Sequence, residues 1–192
     1  MEYTEPRKLA LRDQLQTARG RLSLAEIADR AHRISELLLA APEVRRAATV
    51  AAYVSVGREP GTGVLLDALR AAGKRVIVPL LQADNDLDWA TYDDPGSLAS
   101  ARRGLLEPTG PTLGAAAIAT ADVVLVPGLA VDGHGLRLGR GGGSYDRVLG
   151  RVPVGTFTCV VLNDDEIRDA VPSEPHDRAV TAAVTEVRLL RF

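Results

Sequence analysis

The sequence predicts an α/β protein in which helices cover both faces of a mainly parallel β-sheet. Short apolar runs rich in β-branched residues recur along the chain, and helical segments lie between several of them. Most of these runs are too continuous for half-exposed strands, which indicates a sheet buried on both sides. Alternating strands and helices favour a parallel sheet. The length of 192 residues, without a composition break, predicts one domain over residues 1–192.

The first forty residues predict two helices. In the second, Ser23 precedes Glu26 at the capping-box spacing, and Pro42 ends the helix. One face of this helix is expected to be buried, because apolar residues recur on it at helical intervals. These residues are Leu24, Ile27, Ala31, Ile34 and Leu38.

Five apolar runs after residue 47 are predicted to form strands. They cover residues 48–56, 75–81, 121–131, 156–162 and 180–190. Between them, residues 63–73 predict a helix that ends at a C-capping glycine, Gly73. Residues 87–94 predict an extra edge strand or hairpin arm. The proline-containing segment 93–114 predicts surface loop structure over the sheet.

Composition excludes several classes of protein. Lys and Arg sum to 23 and Asp and Glu to 25, a net charge of −2, so bulk binding to nucleic acid or a membrane surface has no electrostatic basis. Any anion site must be a local cluster. Cys159 is the only cysteine, and its apolar surroundings predict a small buried side chain. With no signal-peptide core and no membrane-length apolar run, we expect a cytoplasmic protein.

The stretch "PGLAVDGHGLRLGRGGGSYDRVLG", residues 127–150, predicts an anion site. An apolar strand leads into it, and a helix is expected to open near Ser144. Glycines let backbone N–H groups approach phosphate closely, and a helix N-terminus supplies further donors. Arg137, Arg140 and Arg147 can add planar, charge-assisted contacts. Asp146 can hold Mg²⁺ together with phosphate oxygens.

Two standard phosphate-binding templates do not fit this stretch. It has no Gly-Lys-Ser/Thr, so it is not a Walker A loop, and its glycines do not complete G-x-G-x-x-G. On composition alone, a tight, strained turn with solvated arginines is an alternative to phosphate binding. Asp146 has its own alternatives, since it can cap the following helix or pair with Arg147.

The same residues resemble the signature of the 5-formyltetrahydrofolate cyclo-ligase family, also called methenyltetrahydrofolate synthetase. The long segment "VPGLAVDGHGLRLGRGGGSYDRVL" carries most of the likeness. Further matches occur in order along nearly the whole chain: "KLALR" at 8–12, "YVSVGREPGT" at 53–62 and "PSEPHD" at 172–177. Two positions of the long segment depart from the signature, since Val131 stands where Phe is usual and Ser144 where Tyr is usual. The glutamine often found before "PSEPHD" is also not evident, and Asn163 or Asp164 lies in that region.

The resemblance implies a single-domain, three-layer α/β/α sandwich with a mainly parallel central sheet. It implies ATP- and Mg²⁺-dependent cyclisation of 5-formyltetrahydrofolate to 5,10-methenyltetrahydrofolate, with release of ADP and phosphate through a phosphorylated formyl intermediate. No nucleophilic side chain is expected, because such a reaction needs positioning and charge neutralisation rather than covalent help. A monomer acting on a small-molecule folate, possibly polyglutamylated, satisfies all of these features.

The resemblance also assigns roles to individual residues. The implied ATP-binding residues are Lys8, Arg12, Arg137, Leu138, Gly139, Arg140, Gly141, Gly142, Gly143, Ser144 and Tyr145. The implied substrate-binding residues are Val54, Glu59, Arg140, Gly141, Gly142, Gly143 and Ser144. Asp146 and Asp177 are the implied magnesium-associated residues, and the catalytic roles fall to Arg140, Arg137 and Lys8.

Without the resemblance, the same side chains have simpler interpretations. Lys8 and Arg12 are an i, i+4 pair on a solvated helix face, and Glu59 is an ordinary loop carboxylate. "EPHD" is a polar turn with His176 exposed. Two other functions also fit the glycine loop. One is a sugar-phosphate isomerase or CoA-transferase-like enzyme, which binds a simple phosphate there, and the other is a non-catalytic folate- or nucleotide-binding protein.

Overall fold

A seven-stranded sheet lies between two layers of helices in the computed structural model, which describes residues 4–175 and 177–192. The helices are α1 (Thr4–Gly20), α2 (Leu24–Ala40), α3 (Pro42–Arg46), α4 (Gly63–Ala71) and α5 (Ser144–Arg151). The strands are β1 (Thr49–Ala51), β2 (Arg75–Leu81), β3 (Leu87–Thr91), β4 (Leu98–Ser100), β5 (Leu106–Pro108), β6 (Val123–Pro127), β7 (Ala130–Val131), β8 (Arg137–Leu138), β9 (Phe157–Val161), β10 (Ala182–Val184) and β11 (Leu189–Arg191).

The sheet is parallel in its centre and antiparallel at both edges. Its strand order is β11-β10-β9-β6-β1-β2-β3. The strands β10, β9, β6, β1 and β2 run parallel to their neighbours in this order. The edge strands β11 and β3 pair antiparallel with β10 and β2. The prediction of an α/β fold with a mainly parallel sheet is confirmed, and so is the edge strand within residues 87–94.

Alternate residues of the central strands supply two separate cores. In β6, Val123 and Leu125 join one buried cluster, whereas Val124 and Val126 join the other. Successive residues point to opposite faces of the sheet, and both faces are covered by other elements. The runs are therefore continuously apolar.

Helices complete both layers. On one face, Ile34 and Leu38 of α2 pack with leucines of α4 against the sheet. On the other face, Val148 and Leu149 of α5 pack beside Ile118, which lies in a 3-10 helix at Ala115–Thr120. The resulting order of layers is helix, sheet, helix.

A third cluster fixes α1 across the carboxyl ends of the strands. Leu15 of α1 packs with Leu129, Ala130 and Leu138 of the β7–β8 hairpin and with Val171. The hairpin follows directly after β6, so α1 lies beside the loop that the sequence marked as an anion site. Among the described helices, none combines the length and apolarity needed to cross a bilayer.

Several boundaries differ from the sequence predictions. The Ser23–Glu26 capping box is present, but Leu24 is 73% exposed and lies outside the buried face of α2. Only Thr49–Ala51 of the run 48–56 forms a strand, because the chain then leaves the sheet to line the cavity described below. The runs 121–131 and 180–190 each divide into two strands. In the second, the hydroxyl of Thr185 accepts hydrogen bonds from the N–H groups of Val187 and Arg188, which closes a turn.

Candidate functional site

The glycine loop connects β8 to α5, as the sequence predicted. Gly141 and Gly143 adopt left-handed backbone conformations, with φ of 95° and 69°. A Cβ at Gly141 would lie 3.4 Å from the guanidinium carbon of Arg12, and one at Gly139 would lie 3.0 Å from Nη1 of Arg137. Glycine is therefore required where arginine side chains pack directly on the loop backbone.

The N-terminus of α5 completes the loop. Its N-cap residue is Gly143, which offers no side-chain cap to the first N–H groups of the helix. Ser144 and Tyr145 follow and line the same cavity as the glycines. Uncapped N–H groups at a helix N-terminus favour a negatively charged ligand.

Arg137 is a buried cation below the loop. Its side chain is 3% exposed, and Nη2 donates to a carboxylate oxygen of Asp146 at 2.9 Å. Burial lowers the pKa of Arg137, and the negative charge of Asp146 opposes that effect. Within the described residues, Nε of Arg137 has no hydrogen-bond partner. A buried donor of this kind is costly unless a ligand accepts from it.

Helix α1 contributes two further cations. The ammonium group of Lys8 donates to carboxylate oxygens of Glu174 and Asp177, both at 2.8 Å. Burial lowers the pKa of Lys8, but the hydrogen bonds and charges of these two carboxylates outweigh that effect and raise it above its ordinary value. Arg12 donates from Nε to the carbonyl of Gly139 at 3.0 Å and pairs with Glu5. The interpretation of Lys8 and Arg12 as a solvated pair is wrong, since Lys8 is 4% exposed and Arg12 is half-buried.

The segment after β1 forms the opposite wall. Glu59 is 8% exposed, accepts a hydrogen bond from the N–H of Val56, and lies 3.3 Å from Nη2 of Arg140. It is therefore a buried, paired carboxylate rather than an ordinary loop residue. Burial raises the pKa of the Tyr145 phenol, and the negative charge of Glu59 raises it further.

Glu174 and Asp177 bring two carboxylates to Lys8. The N–H of Glu174 donates to the Asp177 side chain at 2.7 Å, and the Asp177 N–H donates to the Glu174 carbonyl at 3.0 Å. The prediction of a polar turn is confirmed at these two residues. The prediction that His176 is exposed falls on a residue outside those described.

A cavity of about 540 Å³ brings these elements together. Every residue to which the family resemblance assigned a site role lines it. They are Lys8, Arg12, Val54, Glu59, Arg137, Leu138, Gly139, Arg140, Gly141, Gly142, Gly143, Ser144, Tyr145, Asp146 and Asp177.

Other lining residues were not identified from the sequence. Glu174 lies within the quoted "PSEPHD" segment, so its proximity to Asp177 was an available signal. Arg103, Leu105 and Leu106 also line the cavity, together with Glu107. Glu107 belongs to an "EP" pair at 107–108 that also resembles the family pattern, but nothing local marks the other three, because they come from the segment 93–114 that was predicted only as surface loop.

Two sequence-based interpretations are corrected here, and one departure from the family signature is located in the core. Arg147 does not reach the cavity with the other arginines: it lies exposed on α5 and donates to the carbonyl of Asp84. Asp146 neither caps α5 nor pairs with Arg147, because Arg137 takes its carboxylate. Val131, where the signature has Phe, lies fully buried in the core rather than at the cavity. Cys159 is buried as predicted, and burial raises the pKa of its thiol.

The donor atoms suit a triphosphate with its metal. Lys8, Arg12, Arg137 and Arg140 present cations around the glycine loop, and the Nε–H of Arg137, which has no partner among the described residues, can donate to a phosphate oxygen. Asp146 and Asp177 supply carboxylates. The described residues contain no cluster of three or more His, Cys, Asp or Glu side chains that could hold a metal alone. Mg²⁺ commonly takes one or two carboxylates plus phosphate oxygens, and Asp146 and Asp177 are the residues that would hold it here.

Comparisons with known proteins show the family of this chain. The sequence model of the 5-formyltetrahydrofolate cyclo-ligase family matches residues 4–186. The 5-formyltetrahydrofolate cyclo-ligase of Mycolicibacterium smegmatis is 48% identical over 145 residues, which are 73% of this chain and 74% of that protein. The enzyme of that name from Escherichia coli K12 is 33% identical over 152 residues, 75% of this chain and 81% of that protein.

The fold also matches a solved structure. The NMR structure of Aquifex aeolicus 5,10-methenyltetrahydrofolate synthetase superposes with a TM-score of 0.82 at 27% sequence identity. The match covers 96% of this chain and 92% of that one.

Proposed function

This chain belongs to the 5-formyltetrahydrofolate cyclo-ligase family, and we propose that it uses ATP and Mg²⁺ to cyclise 5-formyltetrahydrofolate to 5,10-methenyltetrahydrofolate. The products are then ADP and phosphate. One observation carries the proposal: a single cavity collects a glycine loop, four paired cations and the carboxylates of Asp146 and Asp177 from segments up to 169 residues apart.

The ATP phosphates fit the glycine-loop end of the cavity. The loop N–H groups and the N-terminus of α5 face the same space as Lys8, Arg12 and Arg137. Lys8 is paired with Glu174 and Asp177, and Arg137 is paired with Asp146. These cations therefore exchange their carboxylate partners for phosphate oxygens when ATP binds. Phosphate oxygens take the cations, and the released carboxylates of Asp146 and Asp177 become available to Mg²⁺. Bound Mg²⁺ neutralises charge on the phosphates and orients them.

The folate fits the wall formed by Val54, Glu59 and the loop residues Arg140 to Ser144. Glu59 is already buried, so a hydrogen bond from the folate to its carboxylate forms in a region of low dielectric constant and is correspondingly specific. Arg140, which is half-exposed and paired with Glu59, sits where the loop meets this wall. We therefore propose Glu59 for orienting the folate and Arg140 for contacting both substrates.

The reaction needs the formyl oxygen converted into a leaving group. Transfer of the γ-phosphoryl group to that oxygen forms a phosphorylated formyl intermediate and ADP. The folate N10 then attacks the formyl carbon and loses its proton to solvent, and the bond from that carbon to the formyl oxygen breaks as phosphate leaves with the oxygen, which gives the methenyl bridge. Arg137, Arg140 and Lys8 stabilise the negative charge that moves with the phosphoryl group, and no side-chain nucleophile takes part.

Absorbance of the methenyl product tests this proposal. Purified protein is mixed with 5-formyltetrahydrofolate, and ATP and Mg²⁺ are added last. We expect product only when both are present, and a rate lowered about 100-fold or more in Arg140→Ala. Arg147→Ala is the matched control. It removes another arginine close to the glycine loop in sequence, and Arg147 does not line the cavity. That variant should retain the rate.

Each alternative outcome has a definite meaning. ATP binding without product would contradict catalysis and favour a folate- or nucleotide-binding protein. Product without ATP would contradict the proposed phosphoryl transfer. An equal loss in Arg140→Ala and Arg147→Ala would contradict the assignment of Arg140 to the site.

A further inference from the structure

Among the described residues, five cationic side chains line the cavity, and one of them differs from the rest. Four form ion pairs: Lys8, Arg12, Arg137 and Arg140. The fifth, Arg103, makes no ion pair within the described part of the chain. Its Nη1 instead donates to the side-chain amide oxygen of Asn85 at 3.2 Å. Arg103 therefore holds a positive charge at the cavity that no carboxylate of the described residues neutralises.

Arg103 is held at the cavity by its neighbours rather than left on a loose loop. It lies in the turn between β4 and β5 with φ of 59°, a left-handed conformation that a non-glycine residue rarely adopts. Arg102 donates to the carbonyl of Leu81 at 3.1 Å, and the Glu107 carboxylate accepts from the Leu81 N–H at 2.8 Å. Both contacts attach this turn to the end of β2.

The position of Arg103 separates it from the phosphate-binding cations. Its partner Asn85 belongs to the turn between β2 and β3, at one edge of the sheet. The glycine loop follows the β7–β8 hairpin, which continues from β6, two strands further into the sheet. The unpaired charge is thus at the β2–β3 side of the cavity, and the triphosphate cations are at the β6 side.

Apolar side chains line the cavity on the same side as Arg103. These are Leu81, Leu87, Leu105 and Leu106. Leu87 is 4% exposed, whereas Leu106 is 40% exposed, so the wall runs from the buried floor to the surface. A flat aromatic group with a negatively charged end matches a leucine wall that finishes at an arginine.

We propose that Arg103 binds a carboxylate of the glutamate tail of the folate, with the p-aminobenzoyl ring against the leucine wall. This inference rests on the proposed function, because it takes 5-formyltetrahydrofolate as the substrate. Guanidinium and carboxylate groups form two parallel hydrogen bonds, which fix the direction of the tail. The tail then leads out past Leu106 to solvent, where further glutamates can follow.

The test compares two ligands that differ only in the glutamate. They are 5-formyltetrahydrofolate and 5-formyltetrahydropteroate, measured by equilibrium binding and by turnover with ATP and Mg²⁺. For Arg103→Ala we expect an affinity for the folate about tenfold weaker and an unchanged affinity for the pteroate. The value of kcat should stay the same, because the tail is remote from the reacting formyl group. Arg103→Lys should retain part of the discrimination.

A surface arginine provides the control for total charge. Arg33 lies exposed on α2, and Arg33→Ala should leave both affinities as they are in the unmodified protein. The discrimination against the pteroate should also weaken in 1 M salt, because screening acts on an exposed ion pair.

The outcomes separate the two proposals. If Arg103→Ala distinguishes the two ligands as well as the unmodified protein does, Arg103 does not bind the tail, whatever the turnover. An equal loss of affinity for both ligands also overturns the assignment. If the unmodified protein binds both ligands but forms no methenyl product, the proposed function fails, while the binding comparison still decides the role of Arg103.

Discussion

Burial and ion pairing change the pKa of the Lys8 ammonium group in opposite directions. Burial alone lowers the pKa, yet contacts with Asp177 and Glu174 leave it raised. A cation whose pKa is raised on folding stabilises the folded state below its unfolded-state pKa of about 10.4, and this stabilisation is lost as pH rises through the folded-state value.

The Lys8→Met variant should therefore show a pH-dependent loss of stability. We expect the free energy of unfolding to fall by about 1–3 kcal/mol at neutral pH, because Glu174 and Asp177 lose a shared partner. The difference from the unmodified protein should shrink above pH about 10.4. Denaturant unfolding from pH 7 to pH about 11 measures it. A difference that stays constant over this range would show that the ion pairs contribute nothing.

The Arg137→Met variant should lower the affinity for ATP much more than the stability of the fold. Its replacement by Met removes one contact to Asp146 but also removes a buried Nε donor that has no partner among the described residues. The free energy of unfolding should change by no more than about 1 kcal/mol. Affinity for ATP with Mg²⁺ should fall at least about tenfold. Calorimetric titration and denaturant unfolding measure the two effects, and unchanged ATP affinity would remove Arg137 from the site.

Residue-level roles were only partly predictable from the sequence. The glycine loop is a local pattern, so its arginines and Asp146 could be proposed from neighbouring residues. The contact between Lys8 and Asp177 joins residues 169 positions apart and has no local signal. Only resemblance to a family indicated those two positions. Neither a local pattern nor the family resemblance indicated Arg103, which was identified because it lines the cavity.

At the scale of elements, the glycine loop depends on backbone shape. Gly141 has a φ of 95°, and its Cα faces the Arg12 guanidinium. In Gly141→Ala, a residue with a side chain must adopt this left-handed conformation, which costs about 1 kcal/mol, and its methyl group comes into van der Waals contact with the Arg12 guanidinium. The value of kcat/KM should fall about tenfold or more.

Gly133→Ala is the matched control for this change. Gly133 lies outside the cavity, its φ is not in the left-handed region, and an added Cβ meets no atom within 4 Å. Its activity should equal that of the unmodified protein. Steady-state assays of both variants test the point, and equal activities would mean that the loop tolerates a side chain at Gly141.

Element types were predictable where the periodicity was local, and boundaries were not. The capping box at Ser23 and the period of two in β6 are patterns within a few residues. The division of the run 180–190 is different, because a β-branched residue, Thr185, closes the turn through its hydroxyl. Leu24 follows the helical spacing, but it lies in the first turn of α2, where no partner element covers it.

At the scale of the whole molecule, a buried ion pair attaches α1 to the sheet. Arg19 donates two hydrogen bonds to Glu166, at 2.6 and 2.7 Å, and one to the carbonyl of Gly128 at 2.7 Å. Both side chains are 4% exposed. Because Gly128 lines the cavity, the same contacts hold α1, with Lys8 and Arg12, against the turn that follows β6.

Breaking this pair should cost more than replacing it. Arg19→Met leaves Glu166 buried without its cation, and we expect a loss of about 3–5 kcal/mol in the free energy of unfolding. The double variant Arg19→Met with Glu166→Leu should recover a large part of that loss, since no charge remains buried. Denaturant unfolding of the single and double variants measures the coupling. Equal losses in both would show that the charge of Glu166 is not the cause.

The properties of the whole molecule were predictable from the sequence to different degrees. A monomeric state and a cytoplasmic location stay predictions from the sequence. The three-layer arrangement was predictable, because continuous apolar runs require cover on both faces. The meeting of α1, the segment after β1 and the turn at Glu174 on one cavity follows from tertiary packing.

The stoichiometry of phosphate release against methenyl formation tests the central proposal most directly. Both products are followed in one reaction containing the protein, 5-formyltetrahydrofolate, ATP and Mg²⁺. Phosphoryl transfer to the formyl oxygen predicts one phosphate released for each methenyl product, and neither product when ATP or the folate is omitted. Methenyl formation that proceeds without phosphate release, or ATP hydrolysis at the same rate without folate, would contradict it.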